Sequence, residues 1–486
     1  MANYIVQFHL KTEPYQEDAL NKRFEIGRQI YNVLVNVTQK RYKETVKIRR
    51  YRNLISSLSH DKAKDKDIYR QINTIRKEHG LSEYSFHRDV KPMQKHFKEN
   101  IDSCTAQKIA TELWNSYDKL FYGNGESVHS KRYGTFNCLE GKSNKSGIRY
   151  KNGLIFWNGL QMPIEIDNNN LYEMQALQND VAYCRIIRKY VRNKNKYYVQ
   201  LVFRGKPPVK VNTDTGELKH PVGNGDVGLD IGTSTIAVAS NSDVKIYELA
   251  DKIQKIEGER RRLLRKMDRS KRAMNPQNYN PDGTIKCQGS KKVIWNKSNH
   301  YIQCQNKLKE LYRKQKDVRK YQHECLANYI LSLGDKVYVE RMNFKGLQKR
   351  SAKTEKNSKG RYKCKKRYGK SLANRAPAML LSIIDRKLSY FDKRLIQINT
   401  AKVKASQYNH FDGSYHKKSR SQRWNNFDGV KIQRDMYSAF LIMNINNDLE
   451  TINTEKCNQR FNNFKRLHDI EVARLTGKHN LSCVGI

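Results

Sequence analysis

The chain has 486 residues, enough for about two to four domains with cores of their own, which excludes a small scaffold that depends on staples. Lysine and arginine number 94 against 48 acids, a formal charge of +46 spread along most of the length, and this predicts a long polyanion as partner. No segment approaches the roughly twenty apolar residues of a membrane span, the start MANYIVQFHLK is not organised as a signal peptide, and nine cysteines without a C-x-x-C pair predict a reduced, cytoplasmic protein with no disulfide framework.

Residues 4–10 alternate as a strand, and helical patterning then runs from about 15 to 122. Ile26, Ile30, Val33 and Val37 recur at helical spacing there, as do Ile109, Leu113, Tyr117 and Leu120. Between the two sets, 55–77 is rich in Lys and Asp and is expected to be a solvated helix or a mobile arm. Strand patterning returns at 148–157, with Asn152-Gly153 as a tight turn, and at 181–203, where 193–196 separates two alternating runs. The first strand is expected to join these in one β-barrel-like module, with the helical segment inserted as a lobe. Residues 206–224, with Pro207, Pro208 and Pro221, form the linker candidate.

Three closely spaced strands follow at 227–231, 235–239 and 244–249, suited to an antiparallel meander. Helical stretches at 253–273 and 299–333 are expected to pair as a hairpin, the second with a stripe of Leu308, Leu311, Val318, Tyr321, Cys325, Tyr329 and Leu333. A strand at 336–341 leads to a basic, poorly periodic run at 345–370, whose RYKCKKRY segment (361–368) interleaves tyrosines with cations, as base stacking and phosphate neutralisation require. A helix at 377–391, a strand at 395–401, an informative block at 406–447 and a basic, weakly patterned tail complete the chain.

Three acids stand out by context. Asp230 lies between Gly228 and Gly232, on the side of its strand opposite Val227, Leu229 and Ile231, where the glycines are expected to let a phosphate or a metal ion come close. Glu340 ends a strand, and Asp435 falls in the first turn of a helix, where the helix dipole favours negative charge. Each alone has an ordinary explanation: an Asp-Gly turn, a rim glutamate, a helix-stabilising aspartate. Their order on strand, strand and helix start around a three-strand meander is what an RNase H-like (RuvC-type) nuclease core requires. Phosphodiester hydrolysis needs an activated water and a stabilised leaving oxygen, which two Mg²⁺ ions about 4 Å apart can provide. Hard carboxylates suit those ions. Asp230 is expected to bridge both, with Glu340 and Asp435 each completing one side.

GLDIGTSTIAVAS, VYVERMNF and the block 406–444 resemble the RuvC motifs of TnpB, the transposon-encoded RNA-guided nucleases, and of the related compact type V CRISPR effectors. The likeness is specific over about 226–447 and architectural upstream. It implies an α+β multidomain protein: a wedge-like β-barrel module (1–14 and 126–210), a helical recognition lobe (15–125), a linker (211–224), an RNase H-like (RuvC) nuclease domain (225–404 and 430–486) and an insertion (405–429). It also implies a guide RNA, recognition of a short flanking motif in double-stranded target DNA, and cutting of both strands at one site with Mg²⁺, for which Mn²⁺ can substitute.

The departures are specific. Family members usually carry a zinc ribbon, S-Q-x-C-x-x-C-G followed by C-x-x-C-G, before the third acid. Here SQYNHFDG (406–413) and NNFDG (425–429) stand in those places, with Asn409, Asp412, Asn425 and Asp428 where the cysteines would be. Four-thiolate zinc binding is impossible there, and zinc is predicted absent. The knuckle turns are expected to persist through Asn and Asp bonding local amides, Phe411 packing on Phe427, and the freedom of Gly413 and Gly429. Tyr437-Ser438 replaces a usual Asn-Ala and Gln433 a common Asp, changes beside the third acid that are expected to bear on activity. Two other functions fit less of the sequence: an RNA-guided DNA-binding regulator with weak or lost cleavage, and a transposase or recombinase, for which no separate DNA-end-binding domain is visible.

Overall fold

The computed structural model describes residues 3–59, 64–123, 125–286, 293–357, 360–362, 365, 368–419, 421–427 and 429–476. The chain divides into two mixed α+β units, Met1–Val209 and Lys210–Ile486.

In the first unit, β1 (Asn3–Leu10) leads to the helices α1 (Pro14–Lys47), α2 (Arg49–Ser56), α3 (Lys66–Glu78), α4 (Glu83–His96) and α5 (Ser103–Phe121). Then come β2 (Cys138–Glu140), β3 (Arg149–Lys151), β4 (Leu154–Trp157), β5 (Leu160–Glu165), α6 (Leu171–Leu177), β6 (Val181–Val191) and β7 (Lys194–Arg204). The strands form one sheet in the order β2-β6-β7-β1-β5-β4-β3, with β1 in its interior beside β7 from Asn3↔Arg204 to His9↔Tyr198. Asn144 bridges β6 and the β3 edge: its backbone N–H donates to the Ala182 carbonyl at 3.0 Å, and its side chain bonds the Tyr150 backbone at 3.1 and 2.7 Å. This curls the sheet.

Two-residue hairpin turns set the register. Asn152-Gly153 has φ of 47° and 79°, and the longer hairpin turns at Arg192-Asn193, φ 48° and 66°, tighter than the loop predicted at 193–196. The buried line of α1 runs through Leu20, Phe24, Tyr31 and Leu34, about 100° around the helix from the predicted set, so Val33 is 46% exposed although Ile26 and Ile30 are buried. The charged segment 55–77 is largely folded as well: Ile72 and Ile75 of α3 pack on Tyr51.

The second unit contains β8 (Asp226–Ile231), β9 (Thr235–Ala239), β10 (Val244–Glu248), α7 (Ile253–Met274), α8 (Asn299–Leu333), β11 (Lys336–Glu340), α9 (Phe344–Gln348), α10 (Gly369–Arg375) and α11 (Pro377–Ser389). It continues through β12 (Ile396–Ile398), α12 (Thr400–Val403), β13 (Trp424–Phe427), β14 (Val430–Gln433), α13 (Arg434–Met443) and α14 (Thr454–Thr476). Five strands lie in the order β10-β9-β8-β11-β12, with the meander antiparallel and β11 parallel to both β8 and β12. On one face, Val227, Leu229, Val337 and Val339 pack on α8 and α11. On the other, Ala237, Ala239 and Ile246 pack with α13 and α14.

Three predicted patterns shift here. The outer half of the α8 stripe is not buried, Tyr321 being 68% exposed, because α8 first packs on α7 through Leu308 and Leu311 and then turns Ala327, Ile330 and Leu331 to the sheet. Its polar inner residues bond to α10: Gln315 donates to Asn374 Oδ1 at 3.1 Å, and His323 Nε2 lies 2.7 Å from the Arg375 carbonyl. The weakly patterned tail is the 23-residue α14, whose inner face combines Phe464 and Leu467 with the buried polar His468 and Glu471. Glu471 accepts from the Ile246 backbone at 2.9 Å and from Arg474 at 2.5 Å, so the helix is amphipathic in hydrogen bonding as well as in apolarity. No helix among the described residues is long and apolar enough to cross a membrane.

Candidate active site

Asp230 and Glu340 stand on adjacent strands. Val339 of β11 is level with Leu229 of β8, so Glu340 is level with Asp230, and both side chains project to the face covered by α13. Asp435, the second residue of α13, closes the third side. The three line one cleft of about 420 Å³, together with Thr233, Ser234, Ser406, Gln407, Lys418, Arg423, Arg434 and Ser438.

Burial first, then the negative charges of Asp435 and Glu340, push the Asp230 carboxyl well above the usual carboxylate range, against an opposing pull from Arg434. Burial raises Glu340 to about 7. Asp435 is held differently: Arg434 Nε and Nη2 both donate to its Oδ1 at 3.2 Å, and Arg423 Nη1 lies 3.6 Å from its Oδ2. Among the described residues, no three His, Cys, Asp or Glu side chains are gathered closely enough to hold one metal ion. The donors are all hard oxygens, the kind that divalent cations take, and a cation would offset the repulsion that raises Asp230.

The glycines beside Asp230 have a different use from the expected one. A Cβ on Gly228 would come within 2.0 Å of the Ala439 carbonyl oxygen and 2.5 Å of the Met443 nitrogen, so what approaches there is the backbone of α13. A Cβ on Gly232 would meet nothing closer than 3.5 Å, and this is the side that opens on the cleft.

The insertion before α13 keeps local turn chemistry. Asn409 Oδ1 accepts from the Phe411 N–H at 3.2 Å and Asp412 Oδ1 from the Ser414 N–H at 2.8 Å, with Gly413 and Gly429 at φ 72° and 88°. Asn425 departs from that expectation: it is buried in β13 with neither side-chain amide atom hydrogen-bonded among the described residues, and Asp428 lies outside the described residues. Phe411 packs on Phe427 with ring centroids 5.6 Å apart, inside an aromatic group that includes His410, Tyr437, Phe440, Phe461 and Phe464. Burial presses His410 down to about 4, hence neutral. The Tyr437 hydroxyl accepts from the His410 backbone N–H at 3.1 Å and lies 2.6 Å from Nδ1, to which its own proton is free to point.

Tyr437 therefore belongs to the core of the insertion and does not line the cleft; Ser438 does. Gln433 is the N-cap of α13, its Oε1 accepting from Met436 N–H at 2.8 Å. The cations Lys418, Arg423 and Arg434 were not singled out from the sequence. Only Arg434, adjacent to Asp435, offered a local signal; the others sit in a basic segment without periodicity.

No protein-family model matches the chain, and no curated protein matches it. Among solved structures it is similar to the Cas12f1 chain of a Cas12f1-sgRNA-target DNA complex, at 8% identity and a TM-score of 0.40, over 90% of this chain and 98% of that one. It is also similar to the chain of a CRISPR-Cas12f ternary complex, at 14% identity and a TM-score of 0.23, over 89% and 86%. A third is a Cas12i1 R-loop complex before target DNA cleavage, at 10% identity and a TM-score of 0.24, where the match spans 95% of this chain and 65% of that one. The chemistry of the cleft stands on this chain's own residues.

Proposed function

We propose that the protein is an RNA-guided, Mg²⁺-dependent DNA endonuclease with a single RuvC-type site. The observation that carries this is the convergence of Asp230, Glu340 and Asp435, from strand, strand and helix start, on one cleft of a five-stranded sheet ordered β10-β9-β8-β11-β12. Asp230 with Glu340, and Asp230 with Asp435, would hold two Mg²⁺ ions, for which Mn²⁺ can substitute. Held there, the ions would supply nucleophile activation and leaving-group stabilisation for phosphodiester hydrolysis. The chain's own part is to crowd the acids into a site with restricted water, to keep Asp230 between its two neighbours, and to present Lys418 and Arg423 to phosphate.

The charge of +46 supports a protein that holds guide RNA and target DNA together, with base pairing reading sequence and the protein reading backbone shape and a short flanking motif. The first unit supplies the wedge-like module and helical lobe of this scheme, and the second the nuclease. A second assignment, an RNA-guided DNA-binding regulator with weak or lost cleavage, is favoured by one observation: Asp435 already carries two guanidinium partners.

The test is to sequence the RNA that co-purifies with the protein expressed from its native locus and then to assay Mg²⁺-dependent cutting of DNA matching that RNA. A defined RNA with guide-matched cutting is expected. Binding without cutting would select the regulator, and the absence of any specific RNA would refute guidance. Zinc has no place in this scheme, and the purified protein is expected to carry no stoichiometric zinc by elemental analysis; one tightly bound ion per chain would show that the insertion keeps a metal through other donors.

A further inference from the structure

We propose that Arg434 is the positioning residue of the third acid, an assignment that rests on the nuclease function above. Its guanidinium spans two partners. One edge addresses Asp435 Oδ1 through Nε and Nη2, both at 3.2 Å, while Nη1 donates to the Gln422 carbonyl at 3.0 Å and the Ser419 carbonyl at 3.4 Å. The Arg434 backbone N–H donates to the Arg423 carbonyl at 2.9 Å. A planar fork with five donors can serve a carboxylate and two carbonyls at once; a lysine ammonium is a point charge on a flexible stem and cannot.

Two consequences follow from this geometry. Asp435 sits where an aspartate would ordinarily turn back onto the free N–H groups of its own helix, but Gln433 already caps Met436. Asp435 is thereby free of capping, and Arg434 sets the direction in which its carboxylate points. The same guanidinium fastens Ser419 and Gln422, the latter next to Arg423, which lines the cleft. Arg423 is the weaker partner of the acid: a single ion pair at 3.6 Å on a side chain 33% exposed. Arg434, at 16% exposed and anchored at both ends, is the fixed one. It acts through Asp435 and through its bonds to Gln422 and Arg423, in the way that partners of metal-binding carboxylates orient them.

In the guide-loaded full-length protein, Arg434→Ala is expected to bind matched target DNA with unchanged affinity and to cut it about 10- to 100-fold more slowly. Arg434→Lys is expected to stay slow. Added guanidinium at millimolar concentration should restore part of the Arg434→Ala rate and leave the unsubstituted protein unaffected, which a general loss of structure would not permit. Amide hydrogen exchange at 421–423 should quicken in Arg434→Ala. Wild-type cutting by Arg434→Ala, full rescue by lysine, or binding lost in step with cutting would each overturn the assignment. If the unsubstituted protein binds guide and target but does not cut, the nuclease function itself falls and Arg434 with it as a positioning residue. Exchange at 421–423 would then decide whether its anchoring role survives.

Discussion

Replacing Asp230 with alanine should abolish cutting of guide-matched DNA while target binding stays close to that of the unsubstituted protein. The expected loss is at least about a thousandfold, or about 4 kcal/mol of barrier. Asp230 is the acid with most to lose: it alone stands next to both others, so its removal takes a donor from both ends of the cleft. A second readout moves the opposite way. Asp230 is half-buried beside two like charges, and its raised carboxyl pKa means that its ionised form costs stability above the ordinary carboxylate range. Without divalent cation at neutral pH, Asp230→Ala and Asp230→Asn should therefore melt at or above the temperature of the parent, a trade of stability against function expected of site residues. Inactive protein that is as stable as the parent or more so is the signature. Undiminished cutting by Asp230→Ala would remove this carboxylate from the chemistry, and loss of target binding in parallel would point to a folding defect.

The difference between what was legible and what was not has physical causes. Strands of the meander, the β11 strand and the hairpin turn at Asn152-Gly153 are written in local alternation and turn chemistry, which act within a few residues and survive without knowledge of partners. The acids were legible as candidates because each sits at the end of such an element. The 400s were half legible: the Asx-Gly turns around Asn409 and Asp412 are local, but Tyr437 looked like a change at the active site because it is two residues from Asp435. A helix turns 100° per residue, and that rotation carries Tyr437 away from the cleft to His410. The α14 helix was illegible because its inner face includes His468 and Glu471, whose burial depends on partners such as Gln433 and Ile246 more than thirty residues away in sequence. The cations of the cleft were hidden for a related reason. In a chain with 94 lysines and arginines, no single one is conspicuous until the fold shows which face an acid.

Gly228 joins these two kinds of information, since the sequence marks a close approach there and only the fold names what approaches. Gly228→Ala should destabilise the protein by about 3 kcal/mol or more, beyond the ordinary range for a surface substitution. The added methyl would meet the Ala439 oxygen and Met443 nitrogen, backbone atoms that no rotamer change can move aside. Relief requires α13 to lift from the sheet, and every residue of that helix from Met436 to Met443 is buried. Because Asp435 begins the same helix, the lift would also draw the third acid away from Asp230, so cutting should fall even at temperatures where the variant remains folded. Gly232→Ala is the control: its Cβ would meet the Thr235 oxygen only at 3.5 Å, and thermal melting should be close to that of the parent. If approach of nucleic acid were what both glycines provide, the two variants would lose cutting alike and keep their stability. A large fall in melting temperature confined to Gly228→Ala would instead show that this glycine is there for helix packing, and that the position of Asp435 in the cleft depends on it.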